Sequence, residues 1–332
     1  MDELLSGLRA AAEVTRVRIL FILSHGEANV SELTQILGQS QPRVSRHLKL
    51  MAEAGLINRH KEGNWVLFRL REEGMSGALA RSIVDLLPGA DPVLAADLAR
   101  LEDIRSRRAE AAAQYFKVNA ARWEQLRSLH VREEDVEHAM VRLAGNTAIR
   151  LHVDLGTGTG AVLRRFAARA GQAIGIDSSR DMLAIARVNL EASAIRNAQV
   201  RHGEIYALPF PDGFSDFVTI HQVLHFLEDP ARALAEAARI MEPGGRLLIV
   251  DFAPHDVDEL RTDHAHRRLG VAAEHMAQWL HRAGLDLVQH DVLPPPWRKD
   301  GTGLTVSLWL AASPKLQANS YATSSQTVDS AA

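Results

Sequence analysis

Three glycines alternate with threonines after an apolar stretch near the middle of the chain, in the run Val153-Asp154-Leu155-Gly156-Thr157-Gly158-Thr159-Gly160. Glycine has no Cβ, so it permits the positive φ angles of a tight turn and lets backbone N–H groups approach a bound molecule. The residues from Ala161 to Ala168 then read as a helix that begins at the turn. The pattern therefore predicts a strand, a glycine turn and a helix against which a ligand lies.

Two acidic residues beside this turn bear on whether the ligand is a dinucleotide or a methionine derivative. The spacing Gly156-x-Gly158-x-x-Ala161 also satisfies the loose dinucleotide fingerprint. Asp154 favours a methionine-like ligand instead, because a carboxylate at the strand end can receive an amino group. Asp177 ends the next apolar run, about twenty residues further on, where it can accept both hydroxyls of a ribose. Since Asp177 suits either ligand, the residues alone leave both open.

Later motifs extend the pattern. The run Met241–Arg246 followed by Leu247–Asp251 reads as a helix end, a glycine turn and a buried strand. With these motifs, the chain from about Asn119 to Pro314 resembles the class I S-adenosylmethionine-dependent methyltransferases, in particular the ubiquinone and menaquinone biosynthesis group. The resemblance implies a Rossmann-like α/β domain with a doubly wound, mostly parallel seven-stranded sheet. It also implies S-adenosyl-L-methionine as cofactor and S-adenosyl-L-homocysteine as product.

The same resemblance implies roles for residues that match the family motifs. Asp177 would hold the ribose, Met182 would pack on the adenine, and Glu204, where the family more often has Asp, would lie near the adenine amino group. Tyr115 and Phe116 belong to a helix that covers the ligand in related enzymes, or else they are core aromatics of that helix. The implied cofactor-binding set is Asp154, Gly156, Thr157, Gly158, Gly160, Asp177, Ser178, Met182, Gly203, Glu204, Ile205, His221, Tyr115 and Phe116.

His221 is the candidate catalytic residue. It ends the predicted strand 215–221, and open α/β sheets bind ligands at the C-terminal ends of their strands. Methyl transfer from a sulfonium is a displacement in which positioning does most of the work. An acceptor hydroxyl or amine must still lose a proton, and histidine is suited to accept it. His221 is therefore predicted to be a general base or, alternatively, only a cofactor contact.

Four more histidines crowd the later loops, at positions 225, 255, 264 and 266. They are not accompanied by carboxylates at ligand spacing, and the chain has no cysteine. The sequence therefore predicts no metal site.

The N-terminal part has a different pattern. Helical stretches at Ser31–Leu37 and Ser40–Ala54 flank Gly38, and a hairpin signal follows around residues 61–64. This predicts a winged helix, and residues 1–87 resemble the ArsR/SmtB repressors. The resemblance and the local basic patch imply DNA-binding candidates, namely Arg43, Ser45, Arg46, His47, Lys49, Arg59 and Lys61. The metal-sensing cysteines of that family are replaced by Ala28-Asn29-Val30, so metal sensing is not expected.

Length and composition fit this arrangement of two domains. The chain has 332 residues, 46% of them hydrophobic, and a net charge of −3. The apolar run at 19–23 is too short to span a bilayer, so a cytoplasmic protein is expected. Pro88-Gly89-Ala90-Asp91-Pro92 marks a break. The predicted division is a winged helix at 1–90, a helical connector at 91–130, a methyltransferase domain at 131–314 and a disordered tail at 315–332.

Together these features predict a homodimeric transcriptional regulator that binds an operator in double-stranded DNA and methylates a small molecule. Two alternatives remain open. In the first, the second domain senses S-adenosylmethionine or S-adenosylhomocysteine without turnover. In the second, the winged helix only dimerises a methyltransferase. The outward-facing Arg46 and Lys49 argue against the latter.

Overall fold

The computed structural model describes residues 1–62, 65–71, 74–120, 132–294 and 303–314. Its α-helices are α1 Asp2–Ala11, α2 Val14–Ser24, α3 Val30–Leu37, α4 Gln41–Glu53, α5 Gly74–Asp85, α6 Pro92–Asn119, α7 Glu133–Ala144, α8 Ala161–Ala167, α9 Arg180–Ala192, α10 Pro230–Arg239, α11 Glu259–Asp263 and α12 Ala273–Arg282. Its strands are β1 Ala28–Asn29, β2 Ile57–Glu62, β3 Trp65–Leu70, β4 Ile149–Leu155, β5 Ala170–Asp177, β6 Ala198–His202, β7 Ser215–His221, β8 Met241–Phe252, β9 Asp286–Leu293 and β10 Val306–Ala312. No helix in these ranges is long and apolar enough to cross a membrane.

The predicted winged helix is confirmed at the N-terminus. Helix α3 begins with a capping box in which the side chain of Asn29 accepts from the N–H of Glu32 and the Glu32 side chain accepts from the N–H of Asn29. It ends at Gly38, which has a left-handed φ of 64°. The hairpin of β2 and β3 forms the predicted wing. The short strand β1, which the sequence did not predict, pairs with β3 and completes a sheet of order β1-β3-β2.

The first half of α6 packs onto this N-terminal unit. Leu101 is buried in its hydrophobic core, and Leu98 packs against the same core. Arg18 of α2 forms two hydrogen bonds with the fully buried Asp97, from Nε to Oδ2 at 2.6 Å and from Nη2 to Oδ1 at 2.7 Å. Such a bidentate pair fixes orientation as well as position. The predicted connector is therefore anchored to the winged helix along its first turns, while its predicted part beyond residue 120 lies outside the described residues up to 131.

The second unit is the predicted α/β domain. Its seven-stranded sheet has the order β6-β5-β4-β7-β8-β10-β9, with β10 antiparallel to both neighbours and the remaining pairs parallel. Strands β4 and β7 lie at its centre and are almost wholly buried, as expected for parallel strands covered by helices on both faces. The C-terminal ends of β4 to β8 therefore meet along one edge, where open α/β sheets bind their ligands.

Candidate functional site

The glycine turn between β4 and α8 needs its glycines for conformational and steric reasons. Gly156, Gly158 and Gly160 have φ angles of 72°, 53° and 80°, in a region that residues with side chains rarely adopt. A Cβ on Gly156 would also lie 2.4 Å from Cγ2 of Val223. The N–H of Gly156 donates to the carbonyl of Ile176 at 2.8 Å. The turn is therefore anchored to the end of the neighbouring strand β5.

Asp177 lies at the end of β5 and organises the same turn. Its Oδ2 accepts from the N–H of Gly158 and its Oδ1 from the N–H of Ser179, both at 2.8 Å. An ionised carboxylate has about four lone-pair positions, so each oxygen retains one for a ligand. Burial raises the pKa of Asp177, and the nearby Glu204 carboxylate acts in the same direction against the two N–H donors. The geometry suits a carboxylate that accepts two hydroxyls of one sugar.

Asp154 is held by a buried chain of polar groups. The hydroxyl of Thr219 on β7 donates to its Oδ1 at 2.6 Å, and Nε2 of His152 lies 2.8 Å from the same hydroxyl oxygen. Because the hydroxyl gives its one proton to Asp154, it accepts an N–H from Nε2 of His152. Burial lowers the pKa of His152 to about 3, although Asp216 opposes the shift. A neutral histidine therefore supports Asp154 at neutral pH.

Replacing His152 with glutamine should make the stability of the protein less sensitive to acid. The folded chain keeps His152 neutral down to its pKa of about 3, whereas the unfolded chain protonates it below pH ~6.5. The contribution of His152 to the free energy of unfolding is therefore complete above pH ~6.5 and falls as the pH drops toward the pKa of the folded state. Between pH ~7 and pH ~5 the loss is about 2 kcal/mol.

Denaturant unfolding at both pH values checks this expectation. Glutamine retains an N–H donor for Thr219 and does not titrate. The wild type should therefore lose about 2 kcal/mol more than the variant. Equal losses would contradict a buried, neutral His152.

The structure brings several other predicted cofactor residues to the ends of β4, β5 and β6. Met182 is buried on α9. The N–H of Gly203 donates to the carbonyl of Asp177 at 3.1 Å, so the loop after β6 follows the end of β5. Of the remaining members, Thr157 is buried, Ile205 is half-buried, and Ser178 and Glu204 are exposed. Their binding roles stay predictions.

His221 ends β7, at the edge where the sequence predicts a ligand. It is 7% exposed and pairs in register with Val250 of β8. The next residue, Gln222, has a φ of 54° and donates its N–H to the carbonyl of Val250 at 2.7 Å. A left-handed residue other than glycine is uncommon, and such residues cluster at functional sites. The predicted catalytic role of His221 is thus compatible with its position and stays a prediction.

A histidine–aspartate pair that the sequence did not predict lies beside His221. Nδ1 of His225 is 2.6 Å from Oδ1 of Asp251, with exposed fractions of 2% and 0%. The rings of Phe226, Phe252 and His266 surround His225, with His266 stacked at 4.1 Å between ring centroids. Each partner follows or ends one of two neighbouring parallel strands, β7 and β8. The sequence shows both residues at strand ends, but only the strand order shows that β7 and β8 are neighbours and that the two residues therefore meet.

The helix that carries Tyr115 and Phe116 reaches this region. Phe116 is half-buried near the end of α6, and its ring meets that of Phe226 edge-on at 4.8 Å. The side chain of Tyr115 lies outside the described residues. Phe116 therefore contacts the loop after β7, next to the His225–Asp251 pair, and its contact with a cofactor stays a prediction.

The candidate DNA-binding face is the outer side of α4. Val44, Leu48 and Met51 are buried beneath it. Four of the predicted DNA-binding residues are exposed on α4, namely Arg43, Ser45, Arg46 and Lys49. Arg59 on β2 is also exposed, and the side chain of Lys61 lies outside the described residues. The helix thus presents polar donors and cations on a face supported by the core.

His47 differs from the other predicted DNA-binding residues because it is half-buried. Its Nδ1 lies 3.8 Å from Oε2 of Glu13. Burial lowers its pKa, and the charges of Arg16, Arg43 and Arg46 act in the same direction while Glu13 opposes them. His47 therefore faces α2 rather than the outer side of α4.

Five charged residues join the two units, and we term them the interdomain ion cluster: Glu27, Arg105, Glu228, Arg267 and Arg268. Nη1 of Arg268, which is 9% exposed, lies 2.7 Å from Oε2 of Glu27. Its Nη2 donates to the carbonyl of Glu228 at 3.1 Å. The Glu228 carboxylate pairs with Arg267 and lies 3.8 Å from Nε of Arg105 on α6. The loop after β7 is thereby connected to the winged helix and to α6.

The cluster also touches the His225–Asp251 pair through the backbone. The N–H groups of Arg267 and Arg268 donate to the carbonyl of His225 at 2.8 and 3.1 Å. At the other end, Glu27 directly precedes β1, and the second residue of that strand, Asn29, caps α3. A short path of bonded groups therefore runs from the edge of the sheet to the first helix of the helix-turn-helix.

Comparison with known proteins assigns both units. Residues 13–59 match the family model described as "Bacterial regulatory protein, arsR family", and residues 153–249 match the one described as "Methyltransferase domain". The fold, the glycine turn and these matches define a chain that carries an ArsR-family helix-turn-helix and a class I methyltransferase domain. The predicted combination of families is thereby confirmed.

Individual relatives match the second unit over part of their length. A demethylmenaquinone methyltransferase of Thermus thermophilus is 41% identical over 118 residues, covering 34% of this chain and 52% of the relative. The uncharacterized methyltransferase YcgJ of Bacillus subtilis is 30% identical over 118 residues, covering 35% and 47%. The chain thus spans about half the length of these curated relatives.

Solved structures support the fold. The [4+2]-cyclase SpnF has a TM-score of 0.52 at 18% identity, covering 61% of this chain and 95% of that protein. This likeness concerns the fold alone, since one fold can host different chemistries.

Proposed function

We propose that this protein is a transcriptional regulator of ArsR type whose methyltransferase domain binds S-adenosylmethionine and methylates a small molecule. S-adenosylhomocysteine, the product, would occupy the same site. Its DNA partner would be a double-stranded operator in the cytoplasm, bound by a homodimer. Exposed apolar side chains on the outer helices support dimerisation there, namely Leu5 and Leu8 on α1 and Met75 on α5.

One observation carries the proposal that the two units act together. Arg268 joins the loop after β7, at the ligand-binding edge of the sheet, to the winged helix, because it forms an ion pair with Glu27 and donates hydrogen bonds to carbonyls of that loop. The same loop contacts α6 through Phe226 and Glu228. Two independent domains on a linker would not need such contacts. They support a regulator in which ligand binding and DNA binding influence each other.

The residues at the end of β4 and β5 support S-adenosylmethionine as the ligand. Asp177 has acceptor positions for the ribose hydroxyls, and Asp154, held by Thr219, offers a carboxylate for the amino group of the methionine part. A dinucleotide has no amino group in that place. The presence of a methyltransferase domain agrees with this choice.

A second candidate function is a sensor that binds S-adenosylmethionine or S-adenosylhomocysteine without turnover. The interdomain ion cluster favours it, because a ligand-dependent shift of the loop after β7 would reach the winged helix whether or not a methyl group moves. Formation of S-adenosylhomocysteine with candidate acceptors separates the two functions. The relatives named as demethylmenaquinone methyltransferases make aromatic hydroquinones the first acceptors to test.

Replacing Arg46 with alanine should weaken DNA binding without changing cofactor affinity measured in the absence of DNA. Arg46 is exposed on α4, and loss of one arginine contact to a base edge or phosphate costs about 1–3 kcal/mol, or roughly 5- to 150-fold in affinity. Gel shifts at low salt with a duplex from the region upstream of the protein's own gene would measure the change. The shifted wild-type complex should contain two protomers.

Arg187→Ala is a matched control, because Arg187 is an exposed arginine on α9 of the other domain. It removes the same charge and should leave DNA binding unchanged. If the wild type does not shift the duplex even at low salt, the winged helix is better interpreted as a dimerisation module.

A further inference from the structure

We propose that His225, oriented by Asp251, accepts the proton of a weakly acidic aromatic hydroxyl during methyl transfer. This inference rests on the proposed methyltransferase function and names its acceptor class, which is phenols, catechols and hydroquinones. It assigns the proton-accepting role to the histidine after β7 rather than to His221 at its end.

The hydrogen bonds of Asp251 determine which nitrogen of His225 can accept a proton. Oδ1 of Asp251 lies 2.6 Å from Nδ1 of His225, and Oδ2 accepts the backbone N–H of His225 at 3.3 Å. A carboxylate accepts hydrogen bonds, so it favours the tautomer with the proton on Nδ1. Within the described residues, no hydrogen bond occupies Nε2. Among the described residues, no other group therefore competes with a substrate for the lone pair of Nε2.

The strand order indicates which strand ends would bind the cofactor and which are left for a methyl acceptor. Asp177 on β5 would hold the ribose and Asp154 on β4 the methionine part, so the sulfonium that joins these two parts of the cofactor would lie between the two strand ends. Moving across the sheet, the next strand ends are those of β7 and β8. His225 follows the first of these strands, and Asp251 lies at the end of the second. The pair is thus on the side of the edge left for the acceptor.

The surroundings of the pair favour an aromatic acceptor. The rings of Phe226, Phe252 and His266 all contact His225. Flat aromatic molecules pack well against such rings. Because Asp251 is fully buried, its charge is poorly screened and would balance the positive charge that His225 gains.

The proposed step conserves atoms and charge. The acceptor oxygen forms a bond to the methyl carbon while the sulfur–methyl bond breaks, and its electron pair stays on sulfur. The hydroxyl proton moves to Nε2 of His225. The products are a methyl ether, neutral S-adenosylhomocysteine and an imidazolium next to Asp251, which later releases its proton to solvent.

Two phenols that differ in acidity test this role. At mildly alkaline pH 4-nitrophenol is largely ionised and needs no base, whereas phenol is largely protonated. His225→Gln should lower kcat/KM for phenol by about 100-fold or more, the usual contribution of a general base. Methylation of 4-nitrophenol should fall much less. Formation of S-adenosylhomocysteine is the readout for both.

Asp251→Asn provides the second variant, with no change in side-chain size. An asparagine can present an N–H to Nδ1 and so move the ring proton to Nε2, which removes the base while leaving the imidazole in place. Asp251→Asn should therefore also lower kcat/KM for phenol much more than for 4-nitrophenol. Calorimetry with S-adenosylmethionine and a DNA gel shift should give wild-type values for both variants.

Three results would overturn the inference. The first is an equal fall in kcat/KM for phenol and 4-nitrophenol in His225→Gln, which would indicate a structural role. The second is a selective loss of phenol methylation in His221→Gln but not in His225→Gln. The third is a wild type that binds S-adenosylmethionine but methylates none of phenol, 4-nitrophenol, catechol and 1,4-naphthohydroquinone, in which case the sensor function remains. Failure of the wild type to bind S-adenosylmethionine would overturn the proposed function itself.

Discussion

Replacing Asp177 with alanine should weaken S-adenosylmethionine binding by an order of magnitude or more. The carboxylate would accept two ribose hydroxyls, and loss of hydrogen bonds to a charged group costs about 1.5–3 kcal/mol, or roughly 10- to 150-fold. The variant also loses the acceptor for the N–H of Gly158, so the glycine turn becomes less well defined. Both effects act in the same direction. Isothermal titration calorimetry measures the result.

Asp181→Ala is the matched control for this prediction. Asp181 is an exposed aspartate in the first turn of α9, only four residues from Asp177. It changes the net charge equally and should leave the affinity unchanged. DNA binding by Asp177→Ala should also be retained, which would show that the winged helix is intact.

Two results would contradict the assignment of Asp177. Wild-type affinity in a folded Asp177→Ala variant would remove this residue from the ribose-binding role. Tight binding of NADH by the wild type, with weak binding of S-adenosylmethionine, would reverse the choice between the two ligands that the glycine spacing leaves open.

The parts of the site that the sequence predicts are local. Asp154 and the glycine turn are contiguous, and Asp177 lies at the end of the next strand, so spacing alone brings them together. Positive φ angles at Gly156, Gly158 and Gly160 agree with the turn that their residue type indicates. The wing hairpin is local in the same sense, because β2 ends at Glu62 and β3 begins at Trp65.

The parts that the sequence does not predict depend on tertiary contacts. His225 and Asp251 are separated by 26 positions, and only the adjacency of β7 and β8 brings them to 2.6 Å. Arg268 and Glu27 are separated by 241 positions and belong to different domains. No periodicity or spacing encodes such contacts. Taken alone, His225 reads as a loop histidine, Asp251 as the end of a buried strand, and Glu27 and Arg268 as exposed charges.

The inward position of His47 has a similar cause. On a helical wheel it falls on the flank of the apolar stripe of α4, where its direction depends on what packs alongside. Glu13, which caps α2, lies on that side. The neighbour, rather than the pattern of α4 itself, decides which face His47 belongs to.

Disrupting the Arg268–Glu27 ion pair should reduce the coupling between adenosyl-ligand binding and DNA binding. In the wild type, we expect operator DNA to change ligand affinity by about 5- to 150-fold, equivalent to about 1–3 kcal/mol. Arg268 bonds both to Glu27 and, through its N–H, to the carbonyl of His225. A ligand that shifts the loop after β7 would therefore act on the segment that leads into β1 and α3.

A double-mutant cycle isolates this pair. Glu27→Gln and Arg268→Gln should each reduce the coupling, and the double variant should lose no more than either single variant if the two residues act through each other. Glu242→Gln is the matched control, because Glu242 forms an ion pair of the same 2.7 Å length with Arg150 inside the methyltransferase domain. The control should retain wild-type coupling.

Calorimetry with and without a duplex from the protein's own upstream region measures the coupling for S-adenosylmethionine and S-adenosylhomocysteine separately. Linkage requires that each ligand change DNA affinity by the same factor by which DNA changes ligand affinity, so gel shifts with saturating ligand provide an internal check. If Glu27→Gln keeps full coupling while Phe116→Ala abolishes it, helix α6 carries the signal instead of the ion pair. Equal ligand affinities with and without DNA in the wild type, for both ligands, would refute coupling and leave two independent activities in one chain.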